Sequence, residues 1–324
     1  MTLLPALPFR LHPNAAKGRA GAPVLDEAGF RAARDAIAAW PGYAATPLVD
    51  LPGLARALGV GALRWKDEGS RFGLGSFKAL GGAYAVARHL VRTLAARGIT
   101  ATDADLAAGH CAELTRDITV ACATDGNHGR SIAWGAERFH CRAVIYIHET
   151  VSEGRAAAIA RFGAEVRRVS GTYDDAVRRA AADAAANGWT VISDTSYPGY
   201  TDIPRDVMQG YRVMADEAFA QWIGAAPTHL FVQGGVGGVA AAVAAQSALH
   251  FGDAAPRLIV VEPDRFDCLF RSACAGAPTP APPGPDTLMA GLACGEVSIL
   301  AFDELLHRDE GRLTDCAWRL DELP

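Results

Sequence analysis

From residue 118 onward the chain alternates short apolar, β-prone segments with segments of helical length, and this rhythm constrains the fold most. The β-prone segments are 118–123, 143–147, 165–169, 190–193, 229–232 and 258–261. Helical patterns fill 129–139, 153–162, 173–186, 205–222 and 238–250, and another follows at 266–275. Strands separated by single helices form βαβ units, with right-handed crossovers and parallel sheets covered by helices on both faces. The expected class is therefore α/β with parallel sheets. Upstream, helices are expected at 28–40, stopped by Pro41-Gly42, and at 76–95, with a short strand at 63–66. Gly81 and Gly82 fall inside the second helix, where each costs about 1 kcal/mol relative to alanine, so something must approach that helix closely. Residues 1–25 read as irregular, 100–117 as a polar surface insertion, and 277–285, with five prolines, as a loop or linker. There is no internal repeat.

Composition narrows the function. Half of the 324 residues are apolar and 21% are charged, enough to bury a core and too apolar for a disordered chain. At roughly 100–200 residues per domain, two domains or one large one are expected. A net charge of −5 with no basic run argues against a nucleic-acid partner. The longest alanine-rich run, 239–248, falls short of the ~20 residues that a membrane span takes. The first thirty residues hold no apolar signal segment, so a cytoplasmic protein is expected. The seven cysteines are odd in number and form no CxxC, which fits reduced thiols rather than a disulfide framework or zinc site. His110, His140, His148 and His307 have no metal-like spacing.

Open α/β sheets bind ligands beyond the carboxyl ends of their strands, so the residues after each strand carry the chemistry. Thr124-Asp125-Gly126-Asn127-His128-Gly129 follows 118–123, Asp194-Thr195 follows 190–193, and Gln233-Gly234-Gly235-Val236-Gly237-Gly238 follows 229–232. The glycine run ends a strand and opens a helix at about Gly238, so its free amides and the helix dipole make an anion site suited to phosphate. It also satisfies a dinucleotide pattern, with Gly235, Gly237 and Ala240 as G-x-G-x-x-A and Glu262 as the ribose-binding acid of an NAD-dependent oxidoreductase. Against that alternative, the pattern sits late in the chain and leaves the upstream clusters without a role. Lys78 lies near a helix start, where cations are disfavoured, among Phe77, Ala79 and Leu80. A desolvated amine has a lowered pKa and forms Schiff bases with carbonyls. Read singly, Lys78 is a solvated lysine, Asp125 and Asp194 are turn residues, and Asn127 and His128 are turn and core residues. Lys66-Asp67-Glu68 reads as a solvated strand end.

Taken together, Ser76-Phe77-Lys78, Gly126-Asn127-His128 and the glycine run resemble the fold-type II pyridoxal phosphate (PLP) enzymes, of tryptophan synthase β-like architecture. A closer resemblance is to the diaminopropionate ammonia-lyase family. It runs through Lys66-Asp67-Glu68, Arg71-Phe72-Gly73-Leu74, Phe77-Lys78, Leu80-Gly81-Gly82 and Thr124-Asp125-Gly126-Asn127-His128-Gly129-Arg130. It continues through Asp194-Thr195, Gly199-Tyr200, Ile203-Pro204, Met208-Gln209-Gly210-Tyr211 and Gly291-Leu292-Ala293-Cys294-Gly295-Glu296. The aspartate of Thr-Asp-Gly-Asn-His-Gly is its specific part.

The resemblance implies a large PLP-binding domain, 1–82 plus 196–324, and a small α/β domain, 83–195. It implies an enzyme of amino-acid catabolism that eliminates ammonia from D- and L-2,3-diaminopropionate to give pyruvate, with a small amino-acid substrate, no metal and a homodimeric assembly. Lys78 would hold PLP and take the α-proton of the L isomer, and Asp125, on the other face, that of the D isomer. Asp194 would bind or protonate the leaving amine, Asn127 would hydrogen-bond the PLP ring oxygen, and the amides of Gly234, Gly235, Val236, Gly237 and Gly238 would hold the phosphate. A sibling lyase acting on serine or threonine is the alternative. The departure lies after Glu296, where no Gly-Ser-Gly run supplies the pyridine-nitrogen partner. That implies a C-terminally shortened member or one with a rebuilt C-terminal part; loss of the segment would expose apolar surface and lower stability, or be covered by oligomer contacts. An inactive relative is the corresponding alternative.

Overall fold

The computed structural model describes residues 9–13, 23–124, 126–282, 287 and 289–307. The elements of its first half are α1 (Glu27–Ala38), β1 (Leu48–Asp50), α2 (Pro52–Leu58), β2 (Arg64–Lys66), α3 (Lys78–Ala96), α4 (Asp103–Ala107), α5 (Ala112–Thr115), β3 (Thr119–Ala123) and α6 (Asn127–Arg138). There follow β4 (Arg142–His148), α7 (Glu153–Ala160), β5 (Glu165–Val169), α8 (Tyr173–Asn187), β6 (Thr190–Val191), α9 (Asp202–Gln221), β7 (His229–Gln233), α10 (Gly238–Phe251), β8 (Arg257–Val261), α11 (Cys268–Ala275) and α12 (Ile299–His307). The alternation expected from residue 118 onward is the one that forms.

The chain packs as two compact units. One comprises 26–44 and 71–213, and the other the described residues of 1–25, 45–70 and 214–324. The first is larger than the 83–195 segment expected from sequence. Side chains explain the added pieces: Arg212 and Gln209 of α9 donate to the Asp26 carbonyl at the start of α1, at 2.6 and 3.2 Å.

In this first unit the sheet order is β5-β4-β3-β6, all parallel. Thr119–Cys122 of β3 and Ala143–Ile147 of β4 are buried without alternation, as strands covered on both faces must be. Each fully buried side chain such as Ile145 stabilises the fold by about 1.5–3 kcal/mol. Ala176, Ala180 and Ala184, one turn apart on α8, lie against Ala121, Val144 and Tyr146. Gly129 of α6 lies against Ile145. The close approach expected at Gly81-Gly82 is present. A side chain on Gly82 would collide with Ser131 of α6, and one on Gly81 with the Tyr211 ring and Val207 of α9. Residues 100–117 depart from expectation, because Thr102 and Asp105 form a capping box that starts α4, while Leu106, Cys111 and Thr115 turn inward.

The other unit holds an antiparallel pair, β1 with β2, and a parallel pair, β7 with β8, joined by α10. From Gly238 to Ser247, α10 is buried on all sides, the signature of a core helix. β1, α2 and α12 were not expected from sequence; α12 buries Leu300, Ala301, Phe302, Leu305 and Leu306. Among the described residues, no helix is long and apolar enough to cross a membrane.

Candidate active site

The glycine loop is built as its sequence implies. β7 ends at Gln233, Gly235 and Gly237 adopt φ of 67° and 99°, and α10 opens at Gly238 with no side-chain cap. Both angles lie in the left-handed region that costs a residue with a Cβ about 1–2 kcal/mol. A side chain on Gly234 would run into Glu262, and one on Gly237 would press on Leu269 and Ala301 at 3.0 and 3.1 Å. The loop therefore presents backbone, and the amides at the start of α10 would favour an anion there. Glu262 lies beneath it and is fully buried. Burial pushes its carboxyl up to about 8, against the two amides, Leu269 and Phe270, that donate to it at 3.0 and 2.8 Å. It caps the start of α11 and is not the ribose-binding acid of the dinucleotide alternative.

The first unit holds the charged cluster. Lys78 is the first residue of α3, and its Nζ donates to Asp194 Oδ2 at 2.6 Å. The carboxylate offsets the unfavourable placement of a cation at a helix start. His128 Nδ1 lies 3.8 Å from the same oxygen, and its Nε2 donates to the Ile192 carbonyl at 3.2 Å. Burial alone would raise the Asp194 pKa; Lys78 and His128 outweigh it and hold the carboxyl well below the ordinary range. The loop that carries Asp194 is pinned by Tyr200, whose hydroxyl accepts from the Ser193 amide at 2.9 Å and donates to the Val191 carbonyl at 2.8 Å. Tyr197 stacks on Tyr200 at 4.9 Å. Asn127 is the first residue of α6, and Thr124 Oγ1 accepts from the amides of Gly126 and Gly129 at 3.0 and 3.1 Å. Asp125 lies outside the described residues.

Lys78, His128 and Asp194 thus meet, as do the parts of the glycine loop. His128 was read as a core residue from sequence, and burial supports that; its contact with Asp194 depends on β6 lying beside β3, which no local pattern announces. Lys66 corrects another reading. It is not a solvated strand end, since its Nζ donates to the Thr46 carbonyl at 2.6 Å, Glu217 at 2.8 Å and Gln221 at 3.4 Å. Those three acceptors use all three of its protons. The chain has only three lysines, Lys17, Lys66 and Lys78. Among the described residues no cluster of His, Cys, Asp and Glu could hold a metal ion, and six cysteines are in no disulfide.

Comparison with known proteins gives the family of the chain. The pyridoxal-phosphate dependent enzyme family model matches residues 39–315. The chain is 41% identical over 267 residues to the diaminopropionate ammonia-lyase of Salmonella typhimurium, covering 81% of this chain and 66% of that one. It is 39% identical over 285 residues to that of Escherichia coli K12, covering 87% and 71%. The crystal structure of Escherichia coli diaminopropionate ammonia lyase in complex with an aminoacrylate-PLP azomethine reaction intermediate superposes with a TM-score of 0.83. It shares 36% identity, over 96% of this chain and 77% of that chain. The chain therefore belongs to the pyridoxal-phosphate dependent enzymes of fold type II and, within them, to the diaminopropionate ammonia-lyase family.

The residues present fit the cofactor: a partly exposed lysine amine beside a carboxylate, and a side-chain-free cradle at the start of a buried helix.

Proposed function

We propose that this protein is a PLP-dependent lyase that removes ammonia from D- and L-2,3-diaminopropionate and yields pyruvate. The Lys78–Asp194 pair, with His128 beside it, carries the reading. When bound, PLP supplies an electron sink for the charge that develops at the substrate α-carbon. Lys78 Nζ anchors the cofactor and, once released, takes the α-proton of the L isomer. Released from the cofactor as a neutral amine, it acts as a base without first shedding a proton, and the ammonium formed when it takes the α-proton is one that Asp194 can stabilise. Asp194 then has a free oxygen for the leaving ammonium, with which a carboxylate held ionised makes a charge-assisted hydrogen bond.

Asp125 is the base for the D isomer in this reading, and Asn127, at the start of α6, the donor to the ring oxygen. The first-turn amides of α6 favour the substrate carboxylate, as helix starts favour anions generally. The loop of Gly234, Gly235, Val236, Gly237 and Gly238 holds the phosphate. A cytoplasmic homodimer belongs to the same proposal.

The test is release of pyruvate and ammonia from each isomer, beside D- and L-serine and L-threonine. Faster turnover of diaminopropionate than of the hydroxy amino acids supports the proposal; a preference for serine or threonine replaces it with the sibling lyase. Asp125→Asn should lose D-isomer turnover more than L-isomer turnover, and equal losses would remove the two-base model.

A further inference from the structure

The glycine loop has almost no side chains with which to fix itself, and glycine loses more freedom on ordering than any other residue, so its shape must be imposed from outside. The first turn of α11, in the same unit, does this. Cys268 Sγ donates to the Gly235 carbonyl at 3.5 Å, and Leu269 fills the space beside Gly237. Glu262, packed against Gly234, accepts the amides of Leu269 and Phe270. Asp267 stands at the N-cap of α11, where an aspartate ordinarily accepts those same amides, yet its side chain makes no capping bond. It is fully buried and turned to two arginines instead, with Oδ2 accepting from Arg10 and Oδ1 from Arg271, each at 2.6 Å. The Arg10 guanidinium also lies 4.6 Å from the centre of the Phe270 ring, which meets the His12 ring edge to face at 6.0 Å. The segment 9–13 is thus strapped across the start of α11.

We propose that Arg10 is a positioning residue for the cofactor phosphate: it holds the first turn of α11 through Asp267 and Phe270, and that turn holds the glycine loop in the shape that receives the anion. The two arginines on Asp267 are not equivalent. Arg271 belongs to α11 itself, so its bond neutralises the buried carboxylate and ties the helix to nothing else. Arg10 is 257 residues away in sequence, and its bond anchors the helix start to a separate segment. A guanidinium that pairs with a carboxylate and also covers an aromatic ring fixes both at once. A loop already fixed before it binds gives up less freedom on binding, and so binds more tightly. Cys268, Leu269 and Glu262 carry that fixity to Gly235, Gly237 and Gly234 in turn. This inference rests on the reading above in one respect, that residues 234–238 receive the PLP phosphate.

Full-length wild type, Arg10→Gln, Arg10→Lys and Arg271→Gln are titrated with PLP and, separately, with pyridoxal, which carries the same aldehyde and no phosphate. Absorbance of the bound compound gives each Kd. Arg10→Gln should weaken PLP about 5-fold or more and pyridoxal by less than about 2-fold, because only the phosphate uses the loop. Arg10→Lys keeps a cation on Asp267 from the same segment and should return PLP affinity to within about 2-fold of wild type. Arg271→Gln leaves the strap in place and should also stay within about 2-fold. The proposal is overturned if Arg10→Gln leaves PLP affinity unchanged, if it weakens PLP and pyridoxal equally, or if Arg271→Gln matches its effect. Should Arg10→Gln not fold, Phe270→Leu, which removes the ring beneath the same guanidinium, takes its place with the same expected split. Gly237→Val separates the two possible failures. If it leaves PLP affinity unchanged, the phosphate is not in the loop and the underlying reading falls; if it weakens PLP while Arg10→Gln does not, the role of Arg10 alone falls.

Discussion

The turn from β3 into α6 carries side chains, with Asn127 and His128 at the helix start and Thr124 Oγ1 receiving the amides of Gly126 and Gly129. The turn from β7 into α10 is nearly all backbone, with Gly235 and Gly237 in the left-handed region and Glu262 closing the space behind Gly234. Both lead from a parallel strand into a helix, but in the first the Gly129 amide is taken by Thr124, whereas α10 opens with no side-chain cap. They divide the labour by what they add. The glycine turn lets an anion approach the backbone and fixes it without chemistry of its own. The other sets an imidazole against the carboxylate that holds Lys78.

The largest expected effect falls on the side-chain turn and its partners. Lys78→Ala should reduce lyase turnover on the order of 10³-fold or more, measured as pyruvate release, while the folded state persists by circular dichroism. Comparable turnover without Lys78 would remove the chemistry from this half. Gly237→Val acts on the other half, where the side chain meets Leu269 and Ala301 and φ is 99°. It should weaken PLP binding about 10-fold or more, the equivalent of about 1.4 kcal/mol, read by titration of cofactor absorbance. Unchanged affinity would mean that the phosphate sits elsewhere.

Asp194→Asn should cost about 2 kcal/mol of stability at pH 7, the worth of a hydrogen bond to a charged group. The Asp194 pKa is depressed in the folded state, so its contribution is complete above the ordinary carboxylate value, about 3.9, and is lost as pH falls below it. The gap between wild type and variant in denaturant midpoint should therefore close on acidification below that value. Gly82→Ala forces the α3–α6 contact apart at Ser131 and should cost about 1–3 kcal/mol. A further effect, confined to the pH dependence, is at Glu262. Its carboxyl is raised to about 8, so the stability of its protonated form is complete below its ordinary value, about 4.3, and is lost as pH rises through about 8. Glu262→Gln should flatten the decline in unfolding midpoint between pH 5 and pH 8.5. An equal decline in both proteins would show that Glu262 is ionised throughout.

Much of the architecture could be read from local pattern. The six segments from 118 onward became β3 to β8, because short apolar runs bounded by turn residues and spaced by helices leave few alternatives. The glycine run was equally readable, since its chemistry is that of its own backbone. The charged cluster was not. Lys78 and Asp194 are 116 residues apart, and only the placing of α3 against α6, and of β6 beside β3, brings them to 2.6 Å. Lys66 looked solvated because Glu217, Thr46 and Gln221, which surround its amine, are remote in sequence. α4 was missed for a different reason: its capping box at Thr102 and Asp105 is a local signal, outweighed by the polar composition around it.

The most direct test of the account uses the scarcity of lysine in this chain. The protein is mixed with PLP, reduced with borohydride and digested, and the modified lysine is identified by mass spectrometry among Lys17, Lys66 and Lys78. The account predicts one pyridoxyl group, on Lys78, because the Lys66 amine is fully engaged by Thr46, Glu217 and Gln221. A label on Lys66 or Lys17, or none at all, would contradict it.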